Sequence, residues 1–578
     1  MGSPPVIPTP SIVEEMRQKH PHGDCDQPRM GLRTIHAAAA PEVDVEGIFR
    51  AIQSFPRYSG GGPSGLRPNH IREALVPGSR DQILDAMVGV VNCLLRGEAP
   101  ESVRADFVGA SLVALPKDES SHRPIAGGET LRRLTGKVAM DLVGKDASEL
   151  LCPHQVGVGI SGGAEALIHT CRSWQAKNKG DATKVLVQVD IRNAFNCLFR
   201  THIREKTRSR LPALTPWVDY CYAVDSRLHF GPHVLESRRG VQQGDPLGPL
   251  LFSIGIQDFI EEPRQHTDNL FPVDLDFASF YLDDGVVAGS CEAVQTMLSH
   301  LQTSFSSVGL EFNVDKTKAS PPPECPDAQP LLPWSWQQDG NIVVLGTPIG
   351  SDSFIMANLS ERTKQASNLL HHIRDIDCPQ TALSLARLCG SAAKMQYSMR
   401  TIPSDKCLES LQLFDGYVRA GVENILAQPL ENDEWGRAAR GVRFGGLGFR
   451  PTAAHAPGAY WSSLCDCQDL MVKIWPAIHV NDDIVSAEGT LESWCSREIR
   501  ERVSEEGKRR QKAMSEALDR KLVDDECAAD TTASHIRAHL KLVDQDGCGQ
   551  WLVAPPCSEA GTLLDGELFR IAAKRRIR

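Results

Sequence analysis

A chain of 578 residues with 41% hydrophobic and 23% charged residues has length for more than one domain and the composition of an ordinary globular protein. Its formal net charge of −11 excludes a uniformly basic nucleic-acid coat, although only a face that meets phosphate must be positive. No apolar run reaches bilayer length, MGSPPVIPTPSIVEEM lacks a basic-then-apolar signal, and Val6 stands where a myristoylation motif wants Ser or Thr, so no membrane partner and an intracellular site, nucleus or cytoplasm unspecified, are expected. The 17 cysteines form no Cys-x-x-Cys pair and read as reduced core thiols.

Residues 1–45 are rich in Pro, His and Gly and are expected to be poorly ordered. Two helical patterns follow over 46–96, around the Gly-rich break Ser59–Pro68. Ala110–Lys117 reads as a strand ended by Pro116, and His122-Arg123-Pro124-Ile125-Ala126 follows a polar loop. A helix comes next, with Leu131, Leu134, Val138 and Leu142 on one face and Arg132, Arg133 and Lys137 off it. The run Lys184–Ile191 is a buried strand ending in a carboxylate, Asp190, and a helix begins near Asn193-Ala194-Phe195. A carboxylate at the carboxyl end of a central strand is where α/β sheets hold ligands. Arg192, Arg200, Arg204, Lys206, Arg208 and Arg210 form a basic run that fits either a phosphate-facing surface or a solvated helix face.

Arg239–Pro246 reads as a turn into a helix, with Asp245 as N-cap, Pro246 at the first helical position, and Gly244 free to bring backbone close to a ligand. Leu275, Phe277 and Phe280 before, and Val286 and Val287 after, make a hairpin whose tip is Tyr281-Leu282-Asp283-Asp284. Alone, that tip fits either a solvated acidic turn or a site for a divalent cation such as Mg²⁺, which takes one or two carboxylates together with substrate phosphates. Glu292–Val308 is helical, Gly309–Asn313 a short strand, and Lys316 and Lys318 follow it. Beyond Pro321-Pro322-Pro323, Ile342–Gly346 is a strand, 355–428 is helical, 429–465 is Gly-rich, and the last hundred or so residues are helical and charged. Asp544-Gln545-Asp546-Gly547 opens like a calcium loop, but Pro555 occupies the place of the closing Glu.

Asp190, then Gln243-Gly244 before a helix, then Tyr281-x-Asp283-Asp284, then Gly309-Leu310 with Lys316 after it, resembles in sequence order the palm of a reverse transcriptase. The resemblance is to the polymerases of non-LTR (LINE-type) retrotransposons. Asp190–Phe195 is similar to their first palm motif, Gly240–Leu247 to the second, and Leu345-Gly346 to the primer grip. It covers about residues 60–350, and 351–460 more loosely. It implies an α+β right-hand polymerase of fingers, palm and helical thumb. The domains expected are 1–96, an N-terminal extension with early finger elements; 97–350, fingers and palm; 351–440, thumb; and 441–578, of unknown role.

The implied activity is RNA-directed DNA polymerisation, with an RNA template, a DNA primer, dNTPs and two Mg²⁺ ions, Mn²⁺ being an alternative. Asp190 and Asp283 would bridge the ions, the Ile191 carbonyl would complete one site, and Asp284 would be auxiliary. Lys117 and Arg123 would hold the triphosphate, Lys316 would protonate pyrophosphate, and Gln243 and Gly244 would pack under the template–primer pair. Phe195 lies where RNA polymerases with this palm tend to carry an acid, and would exclude a 2′-hydroxyl. Fewer than 60 residues precede the first finger motif, too few for a typical endonuclease domain, so a nuclease is expected from elsewhere. Two alternatives stay open: an inactive, domesticated nucleic-acid-binding scaffold, and an RNA-templated RNA polymerase.

Overall fold

In the computed structural model, residues 6–23, 40–117, 121–265, 275–491, 495, 497–504, 510–529, 532–543, 545 and 547–578 are described. Residues 1–5 and 24–39 of the stretch expected to be poorly ordered, and Asp544 and Asp546 of the rejected calcium loop, lie outside them. The chain divides into two units. One holds residues 1–161, 183–319 and 329–336; the other holds 162–182, 320–328 and 337–578.

The strands of the first unit are β1 (Ala110–Pro116), β2 (His122–Gly128), β3 (Lys184–Val189), β4 (Ser226–Phe230), β5 (His233–Ser237), β6 (Leu275–Tyr281), β7 (Asp284–Ser290), β8 (Lys318–Ser320) and β9 (Ser335–Trp336). They form two sheets, in the orders β2-β1-β4-β5 and β6-β7-β3-β8-β9. In the second sheet β7 runs antiparallel to both β6 and β3. Central β3 buries Val185, Leu186, Val187 and Val189, a continuous apolar run rather than an alternating one, because both its faces are covered. Helices Thr130–Leu151, Gly248–Gln265 and Cys291–Ser307 add Leu134, Val138, Leu251, Ile254, Met297 and Phe305 to the same core. The α+β class expected from the sequence is the class observed.

Four local expectations change. Helix Pro10–Gln18 stands inside the stretch whose composition signals poor order: Thr9 caps Ile12 N–H, Pro10 takes the first turn, and Val13 and Met16 dock on the β2-β1-β4-β5 sheet. Gly309–Asn313 is not a strand; Gly309 turns the chain at φ +84°, and one bridge, Ile191 to Phe312, remains. The helix after Asp245 begins at Gly248, two residues late, with the Asp245 carboxylate accepting Leu247 N–H at 3.0 Å. Four charges of the basic run are paired within the unit: Arg204 and Arg208 with Asp219, and Lys206 and Arg210 with Asp258. Arg200 is buried, donating to the carbonyls of Gly240 and Val224 and to Ser237 Oγ. Those charges hold a helix to its neighbours and do not form a free phosphate-facing stripe.

The second unit is mainly helical. Helices Asp352–Arg374 and Ser404–Ile425 pack together over Leu359, Leu370, Phe414, Val418 and Val422. The short strands β10 (Ile342–Val344) and β11 (Thr347–Ile349) make a hairpin turned by Leu345 and Gly346, both at positive φ. Among the described residues, no helix is long and apolar enough to cross a membrane.

Candidate active site

The site is built where β3 ends beside the β6–β7 turn. β3 and β7 pair Gln188 with Val286 and Val189 with Gly285, and continuing that register sets Asp190 beside Asp284. β6 and β7 pair Tyr281 with Asp284, so Leu282 and Asp283 alone form the turn. A two-residue hairpin turn needs positive φ, normally met by Gly, Asn or Asp; here Leu282 takes it, at φ 62°. Gly285 is required for a different reason. A Cβ there would lie 2.2 Å from the Phe280 ring, which is wholly buried beneath the turn.

Burial raises the Asp283 carboxyl above its ordinary range, and repulsion from Asp190 adds to the rise. Burial, then Asp283 and Asp190, push Asp284 up to about 6. Lys117 and Arg123 act on both in the opposite sense, which brings the triphosphate-binding candidates within electrostatic reach of the triad. Among the described residues, no group of three or more His, Cys, Asp or Glu side chains is gathered closely enough to hold an ion by itself. The donor set still fits a hard divalent cation: it is all oxygen, partly desolvated and under-neutralised, and Mg²⁺ completes its shell from phosphates and water.

Lys117 and Arg123 flank the open end of the β1–β2 pair, where Leu115 faces Arg123, and both are exposed. Gln243 and Gly244 lie against the same sheet. The Gln243 carbonyl accepts Ala126 N–H at 2.7 Å, and a Cβ on Gly244, at φ +138°, would fall 2.4 Å from the Ala126 carbonyl oxygen. The close approach that demands glycine at 244 is therefore to the protein's own β2. Phe195 is half-buried and stacks on Phe252 with ring centroids 4.8 Å apart. Ile191 is a core residue. Lys316 is exposed on a loop that grips the first carboxylate's backbone. Leu345-Gly346, the expected primer grip, belongs to the second unit.

That gripping loop went unread in the sequence. Asn313 N–H donates to the Asp190 carbonyl at 2.8 Å, Asp190 N–H donates to buried Thr317 Oγ1 at 3.2 Å, and Arg192 N–H donates to the Glu311 carbonyl at 2.9 Å. Asp190 is thereby fixed through its main chain, which leaves its carboxylate for other work. Arg132, expected off the apolar face of its helix, is instead 2% exposed. It donates to the Asp245 carboxylate at 2.9 Å, to Gln242 Oε1 at 2.5 Å and to the Val108 carbonyl at 2.6 Å. Tyr222 O–H shares the same Asp245 oxygen at 2.6 Å. Burial alone would lower the Arg132 pKa; the Asp245 charge more than offsets it. A polar residue three or four positions from apolar neighbours, with no visible partner, gave no sequence sign of this role.

Residues 115–349 match the family model described as reverse transcriptase (RNA-dependent DNA polymerase). The chain is 29% identical over 309 residues to the retrotransposable element SLACS 132 kDa protein of Trypanosoma brucei gambiense, an alignment covering 51% of this chain and 25% of that relative. The matched region thus spans a quarter of the curated relative's length. Among solved structures, the chain is similar to telomerase from Candida albicans in complex with a TWJ fragment of telomeric RNA, at 12% identity and TM-score 0.32, covering 67% of this chain and 65% of that one. It is also similar to apo telomerase from Candida tropicalis truncated from its C-terminal domain, at 12% identity and TM-score 0.30, covering 42% and 54%. The strand-end aspartate, the carboxylate-tipped hairpin and the motif-bearing turn all lie inside the matched segment, so residues 115–349 carry a reverse transcriptase domain similar to that of a retrotransposable-element protein.

Proposed function

We propose that the chain is an active RNA-directed DNA polymerase that extends a DNA primer on an RNA template with dNTPs. The observation that carries this is the register of β3 against β7, which sets Asp190 and the Asp283-Asp284 tip at one end of one sheet. Asp190 and Asp283, with Asp284 as auxiliary and the Ile191 carbonyl as a further oxygen, would hold two divalent ions. These would stabilise the charge on the attacking 3′-oxygen and on the departing pyrophosphate.

The remaining chemistry belongs to the chain. Lys117 and Arg123 bind the triphosphate, Arg123 through a planar fork and Lys117 as a point charge. Gln243 and Gly244 support the nascent base pair from a loop stitched to β2 through Ala126. Phe195, backed by Phe252, sets its ring against C2′ of the incoming sugar. The Lys316 ammonium gives its proton to the leaving pyrophosphate. The rival readings, an RNA polymerase and an inactive scaffold, differ in one assay: extension of a 5′-labelled DNA primer on an RNA template with Mg²⁺. Full-length product with dNTPs and little with rNTPs is expected. Equal use of rNTPs would favour the RNA polymerase, and binding without extension would favour the scaffold.

A further inference from the structure

The two-residue turn that carries Asp283 is not held by its own hairpin. In such a turn the loop residues leave the ladder, and Leu282 does so in a backbone region costing a branched residue about 1–3 kcal/mol. Something must bind its freed N–H and C=O. The carboxamide of Gln155 binds both: Leu282 N–H donates to Gln155 Oε1 at 3.1 Å, and Gln155 Nε2 donates to the Leu282 carbonyl at 2.9 Å. Gln155 is wholly buried.

The segment carrying Gln155 runs along β6 as an added edge. Phe280 N–H donates to the His154 carbonyl and Val156 N–H to the Phe280 carbonyl, each at 2.8 Å, and Ser279 Oγ donates to the Pro153 carbonyl at 2.8 Å. Two residues on, a Cβ at Gly157 would lie 2.9 Å from Leu282 N, so glycine lets the segment close over the turn. The chemistry is specific. A primary amide presents an N–H donor and a C=O acceptor side by side without charge, as a peptide unit does. Glutamate offers no donor when ionised, and leucine offers neither group.

We infer that Gln155 is a positioning residue for the catalytic turn: its amide stands in for the missing strand partner, holds Leu282 left-handed, and thereby fixes where Asp283 and Asp284 point. The role rests on the polymerase reading, but the clamp itself does not require turnover to be measured. Two readouts separate them. In hydrogen exchange on the full chain, peptides covering 278–286 should lose protection in Gln155→Leu, with peptides from β1 and β2 unchanged. In primer extension, Gln155→Leu should lower kcat roughly 10–100-fold, with KM for dNTP within about threefold, since a small misplacement of the reacting groups costs that much. Gln155→Asn should fall between the two.

The decisive variant is Leu282→Gly. Glycine takes positive φ without strain, so Gln155→Leu/Leu282→Gly should regain at least about tenfold in kcat over Gln155→Leu. Unchanged exchange at 278–286 in Gln155→Leu overturns the clamp, whatever the activity. Loss of protection across the whole unit with no rescue by Leu282→Gly makes Gln155 a packing residue and also overturns it. A wild-type chain that extends no primer refutes the polymerase reading while leaving the exchange test intact.

Discussion

Replacing Arg132 by Met should cost the first unit about 3 kcal/mol. The estimate comes from what the substitution orphans. The Arg132 and Asp245 side chains are 2% and 6% exposed, and removing one partner of a buried pair costs about 3–5 kcal/mol because the other charge stays buried. The lower end applies here. Asp245 keeps two donors, Tyr222 O–H and Leu247 N–H, and the Val108 carbonyl keeps Gln242 Nε2 at 3.0 Å. The full chain has two units and is not expected to unfold in one step, so a global midpoint is the wrong measure. Native-state hydrogen exchange resolves it locally, through the opening free energies of amides in helix Thr130–Leu151 and β2. The cycle of Arg132→Met, Asp245→Asn and the double variant should give a coupling of about 2 kcal/mol, the double variant being milder than the sum. Single effects that simply add, or an Arg132→Met loss under about 1 kcal/mol, would refute the network as a structural keystone.

Asp190→Asn or Asp283→Asn should abolish extension while circular dichroism and primer–template binding stay near wild type; extension at a wild-type rate by either purified variant sinks the metal assignment. Phe195→Val should open room for a 2′-hydroxyl and reduce the dNTP-over-rNTP preference in kcat/KM by about 10–100-fold, read by single-nucleotide extension, with an unchanged ratio placing the gate elsewhere. Gly244→Ala should lower the hydrogen-exchange protection of β2 and extension together, because a Cβ would press on the Ala126 carbonyl at a φ alanine avoids; a fully active, equally protected variant contradicts the close approach. Asp284, raised to about 6 from an ordinary 3.8, binds its proton more tightly folded than unfolded. The Asp284 contribution to metal-free stability should therefore be fullest below about pH 4 and decline by about 3 kcal/mol as pH rises through 6, with added Mg²⁺ restoring more at pH 8 than at pH 5. Equal Mg²⁺ stabilisation at both pH values would contradict this.

Much of the candidate site's layout was legible because it rides on local pattern. The run Lys184–Ile191 announces a buried strand and puts Asp190 at its end, and the apolar flanks of Asp283-Asp284 announce a hairpin. What escaped depends on partners distant in sequence. Nothing near Thr317 says that its hydroxyl meets Asp190, 127 residues away. Gln155 sits the same distance from Leu282. Arg204 through Arg210 fitted either a phosphate-facing surface or a solvated helix face, because Asp219 and Asp258 return to the run only in three dimensions. Periodicity reports the face of an element and is silent on what that face meets.

The path of the chain between the two units has a consequence for heredity and for handling. The second unit takes residues 162–182 and 320–328 from within the span of the first. Helix Gly163–Lys177 has Leu167, Ile168 and Trp174 wholly buried and packs on helix Thr452–Ile474, which arrives nearly three hundred residues later. The family segment 115–349 is thus not a module that recombination can move intact. A crossover or truncation near residue 350 would strand that helix without its mate, and a ribosome must synthesise it well before its partner exists. Lineages carrying this architecture should exchange the two units together or not at all, and expression of residues 1–350 alone should yield aggregate where the full chain stays dispersed.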